Sequence, residues 1–90
     1  MTTLPTIHLN GSGASNLYQE YKAAWNSVRA AREALVHATM NARDFYPQGD
    51  DAFQRAREER SEAFLHLHHV EEYLASWLMH LTDHIEPSKQ

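Results

Sequence analysis

Leu17, Tyr21, Ala24, Val28, Ala31, Leu35, Ala38 and Ala42 recur at alternating steps of four and three. An α-helix turns once every ~3.6 residues, so these side chains form one apolar stripe held for about three heptads. Ala24, Ala31 and Ala38 fall seven apart, which lines one edge of the stripe with methyl groups and lets a partner helix approach closely. Tyr18 and Trp25 flank it. A second stripe follows: Phe53, Ala56, Ala63, Phe64, Leu67, Val70, Leu74, Trp77, Leu78, Leu81 and Ile85. Phe64, Leu78 and Ile85 stand beside the strict row and make this face broad. The opposite face carries Glu58, Glu59, Glu62, His66, His69, Glu72 and Asp83, with Arg55 and Glu59 spaced as an exposed i, i+4 pair.

The helix breakers mark the boundaries. All glycines and prolines sit at positions 5–13, 47–49 and 87, and the stretches between them are free of both. The pattern predicts one all-α domain over 1–90. It comprises an extended N-terminal arm (1–13), helix one (14–42), a loop (43–49) and helix two (50–86), an antiparallel two-helix hairpin. Ser12 or Ser15 is the expected N-cap of helix one, because a serine oxygen accepts one of the unpaired N–H groups of the first turn. Asp50 is the expected N-cap of helix two, and Asp51 adds negative charge at the positive end of its dipole. Pro47 disfavours the α region at Tyr46, and Gly49 relaxes the turn.

A tight hairpin pairs Ala42 with Asp50, Val28 with Phe64 and Leu17 with Ala75. Leu78, Leu81 and Ile85 then project beyond helix one. The arm is expected to cover them with Leu4, Ile7 and Leu9, which alternate with Thr6 and His8 as an extended segment with one buried face does. Two helices share one seam and enclose no core. Sheltering apolar surface at this size calls for a third element or a second chain. The expectation is a homodimer or higher homo-oligomer, most simply an isologous four-helix bundle. The alternative is a monomer closed by the arm alone.

Composition narrows the classes. The net charge of −4 conceals an asymmetry. Residues 14–43 carry four basic and two acidic side chains, whereas residues 44–90 carry four basic and ten acidic ones. No strongly basic face emerges, which argues against duplex nucleic acid. The chain has no cysteine, so disulfides, cysteine-based zinc sites and thiol catalysis are excluded. No apolar run approaches the ~18–20 residues of a membrane span, and Met1 to Thr6 do not read as a secretory signal, so a cytoplasmic address is expected.

Seven histidines invite a metal reading. His66, His68 and His69 cluster, and Glu62 with His66 and His80 with His84 sit at i, i+4. One such pair supplies too few ligands for a dedicated site, and neither Glu-x-x-His nor His-Glu-x-x-His occurs. Surface and interface histidines, and no metal, are the plainer expectation. No Gly-x-Ser-x-Gly elbow is present and paired carboxylates occur only on the solvated face, so no enzyme and no cofactor is expected.

Two segments remain as ligand candidates. His8, Asn10, Gly11, Ser12 and Gly13 precede a long helix. Successive backbone N–H groups there, added to the helix dipole, can hold an anion. Packing of the arm on helix two would bring His8 and Asn10 near Trp77, His80 and His84, so that a phosphate rests on the turn and a base lies against Trp77 or His84. The alternative is a plain linker and cap. In the loop, Arg43 offers a phosphate fork and Tyr46 a stacking ring, against a purely structural hairpin end. Arg60 interrupts the second stripe and needs an acceptor, with Glu33 or another subunit as candidates.

Pro5-Thr6-Ile7-His8-Leu9-Asn10-Gly11-Ser12, Arg43-Asp44-Phe45-Tyr46-Pro47-Gln48-Gly49 and Glu59-Arg60 together resemble a group of small helical proteins encoded by phages and prophages. The similarity covers most of the chain. The group's arm usually has Thr where this chain has Ser12, and its loop has Tyr where this chain has Phe45. The resemblance implies a setting and not a mechanism: an accessory protein in the host cytoplasm, including one that neutralises host defence by stoichiometric binding. A nucleotide-type, phosphorylated host signal is the favoured target. A host defence protein met by the acidic face of helix two is the alternative, and a structural phage protein is the third.

Overall fold

The computed structural model describes residues 2–85. It is all-α, with helix α1 over Ala14–Val36 and helix α2 over Ala52–Thr82 packed on one another as an antiparallel hairpin. The arm is extended up to His8, and a turn follows in which the Gly11 N–H donates to the His8 carbonyl at 3.1 Å. Helix two, expected to run to 86, a position outside the described residues, already stops at Thr82.

Helix α1 stops six residues short of the expected Ala42. The segment 37–41 carries no glycine or proline, so nothing local announces the stop. The cause lies across the hairpin. Arg60 of α2 donates from Nη2 to the Leu35 carbonyl at 2.5 Å and to the Val36 carbonyl at 3.3 Å. Those carbonyls are among the last four of the helix, of which that of Leu35 also accepts from the Ala38 N–H at 3.1 Å, and a guanidinium there meets the negative end of the dipole. The acceptor proposed for Arg60, Glu33, instead faces His37 at 3.4 Å. The connection is therefore longer than 43–49. It runs from His37 to Asp51 and holds two 3₁₀ turns, Ala42–Asp44 and Tyr46–Gln48.

The caps also differ from expectation. Gly13 occupies the N-cap position of α1 with no side-chain bond, and Ser15 lies inside the helix. Asp51, not Asp50, stands at the start of α2, in an α conformation that makes no side-chain cap bond. Helix α2 ends at Thr82, and Asp83 and His84 form a turn.

The face that α1 turns to α2 is rotated from the predicted stripe. Ala14, Tyr18, Tyr21, Trp25, Val28, Arg32 and Leu35 are buried or half-buried, again at steps of four and three. Ala24, Ala31 and Ala38 are exposed. Tyr21, Val28 and Leu35 belong to both rows, and the seam has moved by roughly half a residue step, about 50°. Aromatic rings are the reason: Tyr21 stacks on Trp77 of α2 with centroids 4.1 Å apart and planes 3° from parallel. Flat stacking of large rings removes more apolar surface than alanine methyls do. Arg32 enters the seam because Glu71 meets it, Nε to Oε2 at 2.5 Å. Tyr21 on Trp77 and Arg32 on Glu71 lie further along α2 than pairing Val28 with Phe64 would set them, and the long connection accommodates that slide.

Apolar burial is sparse. Among the described residues Ala14, Ala52, Leu74, Leu78 and Leu81 are buried, and only Leu81 is wholly enclosed. The radius of gyration is 19.3 Å, against about 12 Å for a compact domain of this length. Helix α2 has a broader apolar face than one neighbour covers: Leu65, Val70, Tyr73 and Met79 are each more than two-fifths exposed. No helix among the described residues is long and apolar enough to cross a membrane.

Candidate functional site

The arm ends beside the last turns of α2. His80 donates from Nε2 to the Pro5 carbonyl at 2.6 Å, which ties the arm to the helix and fixes the proton on that nitrogen. Leu4 and Ile7 are half-buried. Leu9, expected to anchor the arm with Ile7, is 98% exposed. The turn at Leu9 and Asn10 breaks the alternation and swings the side chain outward.

Around that turn His8, Asn10, Gly11, Ser12 and Gly13 are all exposed. The His8 ring lies over Gly11, so that a Cβ added there would come within 2.8 Å of Nε2. The first N–H groups of α1 follow directly, and Gly13 at the N-cap gives them no side-chain hydrogen bond. His84 is exposed, and its ring centre lies 4.8 Å from that of His80. Trp77 is placed differently from the expectation of a base-stacking platform. One of its faces is taken by Tyr21, the tilted Tyr73 ring has its centroid 6.4 Å away, and its indole N–H is shielded without a protein acceptor. Sequence reasoning missed His80 as the arm's tether. Its signal was an apolar arm long enough to reach α2 with a carbonyl to spare.

Arg43 and Tyr46 lie at the other end of the hairpin. Both are exposed, Tyr46 to 77%. With Ala42, Phe45, Gly49, Asp50 and Phe53, Tyr46 lines an open depression of about 260 Å³. The Phe45 and Phe53 rings within it stand with centres 5.9 Å apart. Helix α1 separates this end from the arm turn by about 35 Å. The nine candidate residues therefore fall into two groups that one chain cannot bring together: His8 to Gly13 with Trp77 and His84, and Arg43 with Tyr46.

A larger open depression, about 530 Å³, runs along the outer side of α2 between Thr2 of the arm and His69, Glu72, Tyr73, Ser76 and Met79. Among the described residues no three His, Asp or Glu side chains converge as metal ligands would. His68 instead approaches Glu72 at 3.2 Å. Arg55 and Glu59 do not close the ion pair that their spacing suggests, while Gln54 bonds Glu58 at 3.2 Å. Comparison of the chain with protein-family models, with curated proteins and with solved structures gives no match.

Proposed function

We propose that this chain is a non-enzymatic binding protein that works as an assembly of its own copies and captures its target stoichiometrically. One observation carries the reading. The chain exposes 7023 Å², whereas a compact monomer of 10.4 kDa exposes about 5,400 Å². A standard interface removes about 800 Å² from each partner, so the surplus suffices for more than one contact between copies. Light scattering at micromolar concentration should give a mass of at least twice 10.4 kDa. A monomer throughout would refute the reading.

The favoured target is a phosphorylated, nucleotide-type ligand, and the phage-borne setting that the sequence resembles makes a host defence signal the expected source. The exposed backbone of Ser12 and Gly13, directly ahead of α1, supports that class of ligand, although the Gly11 N–H is already given to the His8 carbonyl. Thermal-shift measurements with nucleotides and cyclic dinucleotides test it. A ligand present at 100 times its dissociation constant should add about 2.7 kcal/mol to stability. No shift with any of them favours a second reading, in which the outer face of α2 meets a host protein. That reading draws on Leu65, which is 49% exposed on a helix that also presents Glu58, Glu62, His66 and His69 to solvent.

A further inference from the structure

We propose that Leu9 of one copy seats in the aromatic depression at the hairpin end of a second copy, so that two antiparallel chains clasp each other at both ends. The proposal rests on the self-assembly reading above and names the contact that would make it. Among the described residues Leu9 is the one apolar arm side chain left out of its own fold: Leu4 and Ile7 are half-buried, and Leu9 is 98% exposed. Its position is held by the turn that closes between His8 and Gly11. An apolar side chain presented from a hydrogen-bonded turn loses less freedom on docking than one on a loose tail.

The depression supplies the matching surface. Phe45, Phe53, Ala42 and Tyr46 line it, and its volume of about 260 Å³ admits a leucine side chain. Its own chain does not fill it, because about 35 Å of α1 stands between it and Leu9. A second copy removes that obstacle by symmetry. When two α1 helices lie antiparallel about a two-fold axis, the arm turn of each falls at the hairpin end of the other, and the same clasp forms twice. The faces that then meet are available. Ala24 and Ala31 are exposed along α1, with Ala38 exposed just beyond its end, and their small side chains let the helix axes approach to the short end of the ~8–10 Å range. The surplus of exposed area, about 1,600 Å² per chain, is twice what each partner gives up in a standard interface.

The chain has no cysteine, so cross-linking can be directed cleanly. Asn10→Cys places a thiol next to Leu9 without removing it, and Asp50→Cys places one on the rim without removing the aromatic walls. Each variant is made in the full-length protein, and the two are mixed and treated with a short bismaleimide. The expected result is a covalent heterodimer from the mixture, with each variant alone cross-linking at least about tenfold less, because like positions lie at opposite ends of the pair. Adding Leu9→Asp to the Asn10→Cys chain should suppress the heterodimer about tenfold or more and weaken self-association. Its helical circular dichroism should not change, since Leu9 is almost fully exposed in its own chain. If the untreated protein is an oligomer but the mixture gives no heterodimer, or Asn10→Cys cross-links to itself as readily as to Asp50→Cys, the clasp is wrong and the self-assembly reading stands. If the protein is monomeric at micromolar concentration, both fall.

Discussion

Tyr21 on α1 and Trp77 on α2 stack face to face, with ring centroids 4.1 Å apart and planes 3° from parallel. This contact joins the helices in the half of the hairpin near the arm, close to Leu74, Leu78 and Leu81, the three buried leucines. Removing either ring leaves the other without its largest neighbour. Tyr21→Ala should cost about 3 kcal/mol or more, the range for truncating a packed aromatic ring. Made in a Trp25→Phe background, the same change should shift the Trp77 emission to longer wavelength as water reaches the ring. An unchanged spectrum would show that the stack is absent in solution. Because Tyr21 holds one face, a ligand at the arm turn should leave the Trp77 emission nearly constant.

Arg60 is the second joint. Its guanidinium reaches the Leu35 and Val36 carbonyls and lies 5.5 Å from the centre of the Phe64 ring. Arg60→Met keeps the apolar stem and removes the donors. It should cost about 1.5–3 kcal/mol, the worth of hydrogen bonds from a charged donor. Urea denaturation measures it. Arg60→Lys should recover only part, since a single ammonium group cannot reproduce the planar fork. A loss below ~0.5 kcal/mol would place the stop of α1 elsewhere.

Arg32 and Glu71 form a pair that is 35% and 12% exposed at the side chains. That setting lies between an exposed pair and a buried one. A double-mutant cycle with Arg32→Met and Glu71→Gln should give a coupling of about 1–2 kcal/mol. The coupling should fall only slightly between low and physiological salt, because Glu71 is shielded. A value near zero would mean that Arg32 sits in the seam for its stem alone.

The hairpin was legible because two long breaker-free stretches lie between the glycines and prolines at 5–13, 47–49 and 87. Which side of α1 faces α2 was not. Counting apolar residues favours Ala24, Ala31 and Ala38 over Tyr18, Trp25 and Arg32, since an arginine reads as solvated until its partner is known. Glu71 is 39 positions away, and no local rule connects the two. The end of α1 was hidden for the same reason, because Arg60 caps it from α2. Trp25 illustrates a further limit: Lys22 and Arg29 lie 4.7 and 4.8 Å from its ring centre, a setting that apolar periodicity does not encode. For the site, Tyr46 and Arg43 are both exposed at the hairpin end, and Tyr46 shares a depression with Phe45 and Phe53. Their distance from the arm turn follows from the antiparallel geometry, which sets the start and the end of one helix at opposite poles.

Gly49 has φ 111° and ψ 170°, a conformation that L side chains avoid. Gly49→Ala should therefore cost about 1–3 kcal/mol although an added methyl would meet nothing within 4 Å. Thermal or urea unfolding checks this. A neutral result would mean that the turn ahead of α2 relaxes freely.

The arm turn offers the sharpest separation of scaffold from site. Gly13 has φ −72° and ψ 144°, which any residue adopts, and a Cβ there would meet nothing within 4 Å. Gly13→Ala should change stability by less than about 1 kcal/mol, because the freedom that the unfolded chain loses is offset by alanine being a poorer N-cap than glycine. Gly11→Ala would press on the His8 ring, whose Nε2 stands 2.8 Å from the added Cβ, but a solvent-facing ring can swing aside at little cost. Neither substitution should lower the melting temperature by more than a few degrees. Ligand binding tells the rest. An anion lying on the turn needs close approach to its N–H groups, and a methyl at either glycine would hold it away. If the turn is the site, Gly11→Ala and Gly13→Ala should each weaken nucleotide binding about tenfold or more while helicity and assembly persist. Titration calorimetry with the nucleotide that gives the largest thermal shift reads this directly. Wild-type affinity in both variants would reduce the turn to a linker and move the search to the outer face of α2.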